Sequence, residues 1–311
     1  LYLERRGPGP NGPLRLAIQG AVEAPLFRRG HTSLEEWRRR REAPAPWGEL
    51  AGHRVILTLP SDRLRQLENP APVLELWDRV LDACAELAAR PAERPRPERI
   101  VPDVQISAGY MHSGYPIMTH ADQYDVLANR DAILRGSWGL FHELGHNHQE
   151  RDWTFEGTSE VTVNLFTLYV LETVCGLPPL TGHPEIRPEV QDRLRRQYIA
   201  GGRRFEQWKR NPFLALGMYM QLREAFGWEP FRRVFAEYRV LPAAARPRTD
   251  AERRDQWLLR MSAAVGRNLG PFFDSWGIPV SESARAQIAR LPLWMPDHWP
   301  PSQPAEDPAT H

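Results

Sequence analysis

Short segments in the first third of the chain are apolar throughout or alternate between apolar and polar positions, as β-strands do. They predict three strands, over residues 14–22, 55–59 and 100–107. Between the second and the third, apolar residues recur at helical spacing and predict a helix over residues 73–89 that opens after Pro72. A shorter helix is predicted after Ser33, whose side chain can cap it.

From residue 137 onward the spacing of apolar residues is helical. The stretch 137–176 predicts two helices, the first capped by Ser137 and the second by Thr158 or Ser159. The second helix is apolar nearly all round, so we expect it to be buried, and Gly176 ends it. Further helices are predicted over residues 189–200, 212–226, 230–238, 250–265 and 281–289. Strands that precede the helices, rather than alternating with them, favour an α+β fold.

The chain divides into one large predicted domain and two short ends. Gly and Pro are dense in residues 1–13, which predicts a flexible lead-in, and residues 301–311 predict a disordered tail. Residues 14–300 predict a single domain, in which 14–176 form a lobe of sheet and helix and 177–300 a helical lobe.

Composition narrows the classes of function. Hydrophobic residues make up 41% of the 311 positions, which is enough for a core. The formal net charge of +1 gives no field that attracts nucleic acid, so no nucleic-acid partner is expected. No apolar run approaches the roughly 18 residues of a membrane span, and no signal peptide is visible. Cys84 and Cys175 form no CxxC pair and are expected to be reduced thiols.

The chemistry of the chain is expected in an HExxH motif formed by residues 142–146. Four residues on a helix correspond to about 40° of rotation and about 6 Å of rise, so His142 and His146 project from one face. Two imidazoles in that arrangement can hold one Zn²⁺ ion, which is the predicted cofactor. Glu143 is rotated about 100° from His142 and is predicted to be the general base rather than a ligand.

A zinc site in a hydrolase needs a third protein ligand, and two glutamates compete for that position. Glu160 opens the second helix and is our predicted ligand, because helices hold side chains more firmly than loops do. We expect its carboxylate to be buried and to need a metal partner. Asn164 lies one turn further on and can orient Glu160. Glu156, in the preceding loop, is the alternative ligand.

Two further histidines lie close to the motif in sequence. His148 points about 120° away from His146 on a helix, so it cannot join the same metal ion. It is predicted to be either a wall of the cleft or a surface residue. His120 has no partner in sequence and is predicted to be an ordinary surface residue.

Longer motifs carry a resemblance to a known family. HELGHNHQ at residues 142–149, followed by WTFEGTSEVTVNL at 153–165, resembles the enhancin-like zinc metallopeptidases, the mucin-targeting family within the gluzincins. Four other stretches, at residues 55–61, 103–118, 225–231 and 268–279, are similar to the branch of TRP-channel-associated factors. The resemblance extends over about residues 14–296, and both histidines and the glutamate of the HExxH motif are present.

The resemblance implies a zincin-like fold in a peptidase-like domain, with a small mixed sheet, an HExxH helix and a mainly helical C-terminal lobe. The family's E-V-T-x-N context falls on Glu160. The edge strand of such a sheet lines the cleft, and we assign that position to residues 104–118. Tyr110, His112 and Tyr115 in that segment are candidates for binding substrate or stabilising an oxyanion.

Two functions are therefore expected as alternatives. The first is a zinc metallopeptidase that hydrolyses peptide bonds in a protein or glycoprotein substrate, including O-glycosylated proteins. The second is a non-catalytic or weakly catalytic regulatory module that binds a TRP-type cation channel in a membrane. A location in the cytoplasm or at the inner face of the plasma membrane would accompany the second.

Overall fold

A computed structural model describes residues 15, 17–91, 93–297 and 299. In this part of the chain six strands form one mixed sheet in the order β1-β2-β3-β4-β6-β5. The strands are β1 (Leu26–Arg28), β2 (Trp47–Ala51), β3 (Val55–Pro60), β4 (Glu98–Asp103), β5 (Met111–His112) and β6 (Ile117–His120). The pairs β2–β3 and β5–β6 are antiparallel and the other neighbours are parallel. The two-residue strand β5 therefore forms one edge of the sheet.

Helices make up most of the remainder. They are α1 (Leu34–Arg40), α2 (Ser61–Arg65), α3 (Ala71–Leu87), α4 (Tyr124–Leu127), α5 (Arg130–Leu134), α6 (Trp138–His148), α7 (Ser159–Thr173), α8 (Pro188–Ala200), α9 (Phe205–Arg210), α10 (Pro212–Phe226), α11 (Glu229–Arg239), α12 (Asp250–Val265), α13 (Gly270–Ser275) and α14 (Glu282–Ile288). A small mixed sheet with a mostly helical remainder confirms the predicted α+β class. No helix in the described ranges is sufficiently long and apolar to cross a membrane.

The core is continuous from the sheet into the helical region. Leu57 and Leu59 of β3 are fully buried beneath α3, and buried residues from both regions form one hydrophobic cluster. α7 lies in the middle of this cluster and packs against α3, α6 and α10. This position explains why the sequence of α7 is apolar on almost every side.

Several predicted elements agree with the structure. Ser33 caps α1, since its hydroxyl oxygen accepts a hydrogen bond from the backbone N–H of Glu36 at 3.1 Å. The predicted helix over 73–89 is α3, and the predicted strand over 55–59 is β3. α7 is buried over most of its length, as its apolar sequence predicts.

The strand predicted over 14–22 is wrong for residues 17–22, which the structure describes and which have no regular structure. Ile18 and Val22 are exposed, so the alternation does not bury a face. Leu14 and Leu16 lie outside the described residues, as do the predicted lead-in 1–13 and tail 301–311.

The strand predicted over 100–107 is shifted, since β4 covers Glu98–Asp103. The Asp103 carboxylate accepts a hydrogen bond from the backbone N–H of Val104 at 2.6 Å, and this contact turns the chain out of the sheet. Val104 is 79% exposed as a result.

Candidate metal centre

The centre lies where α6 and α7 approach most closely. A Cβ atom on Gly145 would lie 2.7 Å from the carbonyl oxygen of Val163, so a side chain at this position would force the two backbones apart. The glycine within the HExxH motif therefore allows the histidine-bearing face of α6 to meet the first turn of α7.

Three potential ligand atoms converge at this crossing. The Nε2 atoms of His142 and His146 are 3.1 Å apart. Oε2 of Glu160 is 3.0 Å from Nε2 of His142, and Oε1 is 3.5 Å from Nε2 of His146. Zinc with ligand bonds of about 2.0–2.2 Å and tetrahedral angles separates its ligands by about 3.3–3.6 Å. The donor spacing is close to that value.

Each imidazole is oriented by an amide side chain at its other nitrogen. Nδ1 of His142 is 2.7 Å from Oδ1 of Asn164, and Nδ1 of His146 is 3.1 Å from Oε1 of Gln149. The amide nitrogens donate to backbone carbonyls, Asn164 to Glu160 and Gln149 to Ser159. The amide oxygens must therefore face the histidines and accept the Nδ1 protons.

This orientation determines what the centre can bind. With both protons on Nδ1, the two Nε2 lone pairs point toward each other and toward the Glu160 carboxylate. Three electron-pair donors at such short separation repel one another unless a cation lies between them. Two imidazoles and one carboxylate are a donor set that suits zinc.

Sequence analysis missed Gln149, which follows His146 by three residues and so can reach back to it from the C-terminal end of α6. Its amide nitrogen also donates to the hydroxyl of Thr162 on α7 at 2.9 Å. Gln149 thus connects the second histidine to both helices. The spacing HxxQ was the available signal. The contacts of the Gln149 side chain with α7 depend on the fold and could not be read from that spacing.

Glu143 is almost completely enclosed, with 9% of its surface exposed. Burial raises the pKa of its carboxyl group, and the neighbouring His142 and His146 partly oppose that rise. A carboxylate with an elevated pKa beside a potential metal site is suited to exchange protons.

Glu160 and Glu156 occupy different surroundings. Glu160 lies in the first turn of α7 and belongs to the three-residue donor group, whereas Glu156 does not. The Glu160 side chain is 56% exposed, so the expected burial of its carboxylate is wrong. Glu160 faces outward from the helix, whereas the next residue, Val161, is fully buried in the core.

The predicted caps of α6 and α7 occupy the correct positions but make no capping hydrogen bond through their side chains. This holds for Ser137 before α6 and Thr158 before α7. The Thr158 hydroxyl instead donates to the carbonyl of Phe155 at 2.8 Å. The loop before α7 is therefore held by its own turn.

His148 is neither a wall of the cleft nor a surface residue, so both predicted alternatives are wrong. It is fully buried, and its Nδ1 donates to the carbonyl of Leu144 at 2.6 Å. Its Nε2 accepts from the Arg94 guanidinium, which also pairs with Glu98 of β4. Burial, with a smaller effect of Arg94, lowers the pKa of His148 to about 3. His148 therefore anchors α6 to the sheet as a neutral core residue.

The segment predicted to line the cleft, residues 104–118, contains β5 and lies beside α6. Met111 contacts α6 at Gly139, where an added Cβ would lie 2.8 Å from the methionine sulfur. Asn147 at the end of α6 exchanges two hydrogen bonds of 3.0 Å with the backbone of Gly114. His112 is sufficiently near to Glu143 to lower the pKa of that carboxyl group.

All three candidates of the segment already have partners. The Nε2 and Nδ1 atoms of His112 contact the Ser107 hydroxyl and the Ser113 carbonyl, each at 2.9 Å. The Tyr110 hydroxyl donates to Asp122 at 2.5 Å, and its ring stacks on His120 at 5.3 Å, so His120 is not an isolated surface residue. The guanidinium of Arg96 lies 3.4 Å above the centre of the Tyr115 ring. Of the three candidates, His112 is the one with an electrostatic influence on the predicted general base.

Comparison with known proteins adds an independent line of observation. Residues 20–277 match the family model described as peptidase M60, enhancin and enhancin-like. TRPM8 channel-associated factor 2 from Homo sapiens is 46% identical over 286 residues, which is 91% of this chain. The chain spans about a third of the curated relatives it matches, 31% in this case.

Solved structures give the same result for the fold. A conserved protein of unknown function from Bacillus anthracis is 25% identical, with a TM-score of 0.75 over 87% of this chain and 57% of that one. A metallopeptidase in complex with Tn antigen is 17% identical, with a TM-score of 0.68 over 86% of this chain and 56% of that one. The mixed sheet and helical remainder thus match a metallopeptidase fold.

Proposed function

The chain belongs to the peptidase M60 family, enhancin and enhancin-like, and from that premise we propose that it is a zinc-dependent metallopeptidase. One observation carries the proposal: His142, His146 and Glu160 converge with both Nδ1 protons directed away from the common point. Asn164 and Gln149 hold the two imidazoles in that orientation.

The proposed reaction divides its tasks between the ion and the chain. His142, His146 and Glu160 would hold the zinc ion, which when bound would supply Lewis-acid chemistry for the scissile carbonyl and the attacking water. Glu143 accepts the proton of the attacking water on its carboxylate and delivers it to the nitrogen of the leaving amine as the C–N bond breaks. Its elevated pKa supports both directions of that transfer.

The segment at residues 104–118 is proposed to receive the extended substrate beside β5. His112 is the proposed donor toward the developing oxyanion, because it is the candidate near enough to Glu143 to influence the pKa of that carboxyl group. A bound substrate would have to displace the contact of its Nε2 atom with the Ser107 hydroxyl. An O-glycosylated protein is the proposed substrate class, which is supported by the metallopeptidase of this fold that binds Tn antigen.

A second candidate function is a module that regulates a TRP-type cation channel by binding it. The observation in its favour is the 46% identity to TRPM8 channel-associated factor 2. Such a module would act at the inner face of the plasma membrane. Binding to a channel and hydrolysis do not exclude each other.

The test is a comparison of wild type with Glu143→Gln. We expect wild-type protein to bind about one zinc ion and to cleave glycosylated or bare peptides. Glu143→Gln should retain the metal and lose about 10²- to 10⁴-fold in kcat, because it keeps the shape of the side chain but cannot accept a proton. Elemental analysis checks the metal and mass spectrometry of peptide products checks turnover.

Two results would reject the proposal. One is loss of zinc from Glu143→Gln, which would make Glu143 a ligand. The other is a zinc-loaded wild-type protein that cleaves no peptide, in which case the channel-binding function becomes the leading candidate.

A further inference from the structure

A cleft of about 650 Å³ opens beside the candidate metal centre. His146, Gln149 and Ser159 line one end of it, so it is continuous with the donor group. Arg248, which precedes α12, and Arg253, in the first turn of α12, also line it. A substrate bound across the metal centre would extend one of its groups into this space.

Arg253 is an unusual lining residue because its side chain is buried. It is only 6% exposed, and its Nε has no hydrogen-bond partner in the described part of the protein. Its nearest carboxylate oxygen belongs to Asp250, at 3.8 Å, which is too long for a hydrogen bond. A guanidinium has five N–H donors and keeps its charge when buried, so this arrangement leaves donors available to a ligand.

The acidic residues of the cleft are largely neutralised by arginines behind its walls. Glu150 pairs with Arg90 at 3.4 Å and with Arg239 at 3.0 Å. Neither of these arginines lines the cleft.

Asp250 is likewise occupied. One of its oxygens accepts the backbone N–H of Glu156 at 2.5 Å, and the other pairs with Arg254, which lies outside the cleft lining. Three arginines line the space: Arg151, Arg248 and Arg253. Within the described residues, Glu156 is the only lining carboxylate that is not paired with an arginine outside the lining. The lining contains as many arginines as carboxylates, but two of the carboxylates are paired with arginines outside it, so positive charge prevails toward a ligand.

We propose that this cleft binds a carboxylate on the substrate group that borders the scissile bond, and that Arg253 is its specificity-determining residue. The proposal rests on the peptidase function proposed above and adds the chemistry of the substrate to it. Three sources offer that carboxylate: an acidic amino-acid side chain, a free peptide C-terminus, or an acidic sugar on a substrate hydroxyl. A buried guanidinium favours all three over neutral counterparts, because charge-assisted hydrogen bonds are stronger than neutral ones.

The experiment first identifies one cleaved bond with zinc-loaded wild-type protein and a randomised peptide library. Matched pairs of peptides then share that bond and differ in one group: Glu against Gln, free C-terminus against amide, and acidic against neutral sugar. The variants are Arg253→Gln, Arg253→Lys and, as a control on the same helix, Arg260→Gln. Arg260 pairs with Glu237 at 3.0 Å and does not line the cleft.

We expect at least one charged peptide to have a kcat/KM about tenfold or more above its neutral partner. The difference should lie in KM, disappear in Arg253→Gln, return partly in Arg253→Lys and remain in Arg260→Gln. The pair that shows it identifies the source of the carboxylate. Equal kcat/KM within all three pairs overturns the proposal, as does a preference that survives in Arg253→Gln.

Binding to zinc-loaded Glu143→Gln keeps this inference separate from catalysis. The same peptide pairs are titrated by calorimetry, where the charged member should bind about tenfold more tightly. If wild-type protein cleaves no bond in the library, the three pairs are built instead on one peptide of fixed sequence. Preferential binding of a charged member would then reject the peptidase function and uphold the anion site. If Arg253→Gln does not fold, Arg253→Lys and Arg248→Gln decide the outcome. Arg248→Gln is expected to weaken the binding of the charged peptides and to leave that of the neutral peptides unchanged.

Discussion

The two regions on either side of the histidines of the candidate metal centre are built differently. The metal wall, formed by α6 and α7, is closely packed at Gly145, and each ligand imidazole is held by its own amide. The strand-edge rim, residues 103–116, contains one strand of two residues, and exposes Val104 and Tyr110. Most contacts of the rim are made at the surface.

The difference is consistent with the division of tasks proposed above. A metal ligand must be held to within a fraction of an ångström, which requires buried support. A surface that receives varied peptides needs less exact positioning, and segments with few buried contacts change shape at lower cost. We therefore expect substitutions in the metal wall to have larger effects than substitutions in the rim.

The largest effect is expected at Glu160. Glu160→Ala should reduce zinc affinity by more than 100-fold, because it removes one of three donors. Glu156→Ala should leave the affinity close to that of wild type. Competition with a chelator of known affinity measures both. Metal loss from Glu156→Ala together with retention by Glu160→Ala would show that the third ligand is misassigned.

The next largest effect is expected at the amides that orient the histidines. Asn164→Ala and Gln149→Ala should each reduce zinc affinity by about 10- to 100-fold, since the imidazoles lose their fixed orientation. Asn164→Asp and Gln149→Glu retain an acceptor oxygen and should recover part of the loss. The same competition assay applies, and unchanged affinity in both alanine variants would contradict the model of a preorganised wall.

A smaller effect is expected on the rim. His112→Ala should lower kcat by about tenfold while retaining zinc, because a donor near the reacting carbonyl is lost. Tyr110→Phe should change kcat by no more than about twofold, since its hydroxyl donates to Asp122 instead. Steady-state kinetics on one peptide distinguishes the two. A greater loss of kcat in Tyr110→Phe than in His112→Ala would assign the donor toward the oxyanion to Tyr110 and not to His112.

The last effect leaves the metal and turnover unchanged and concerns stability and pH. The pKa of His148 is about 3 in the folded protein, against about 6.5 in an unfolded chain. Between these values the unfolded chain binds more protons, so stability falls as pH falls, by at most about 1.4 kcal/mol per pH unit. Above the upper value the contribution is fully present.

Urea unfolding of zinc-free protein tests this pH dependence without the influence of the metal. His148→Gln should give a shallower dependence of the free energy of unfolding on pH between the two pKa values. His31→Gln, at an exposed position, should match wild type. Identical slopes for wild type and His148→Gln would mean that His148 is not held neutral in the folded state.

Local spacing was sufficient to predict the parts of the centre that depend on one helix at a time. The four-residue separation of His142 and His146 predicts a common face, and the apolar sequence of α7 predicts its burial. Asn164 also proved close to the centre, although it contacts His142 as well as the backbone of Glu160. Neighbours on one helix are determined by helical geometry alone.

Features that depend on distant segments could not be predicted in this way. His148 is buried because Arg94, more than fifty positions earlier, folds against it. The carboxylate of Glu160 is exposed although the next residue, Val161, is fully buried, so it lies on the outward face of the first turn of α7. Residues 17–22, part of the predicted strand, do not join the sheet. The first strand is β1, further along the chain, which pairs with β2.

The exposure of Glu160 affects how proteins with this fold can evolve. Its carboxylate contributes to the donor group while the buried remainder of α7 holds the two regions of the domain together. One nucleotide change at this codon could therefore abolish metal binding and leave the fold intact. A protein with this fold that had acquired a binding function at its surface could lose the proposed hydrolytic activity by one substitution. The fold, and with it the binding function, would be retained.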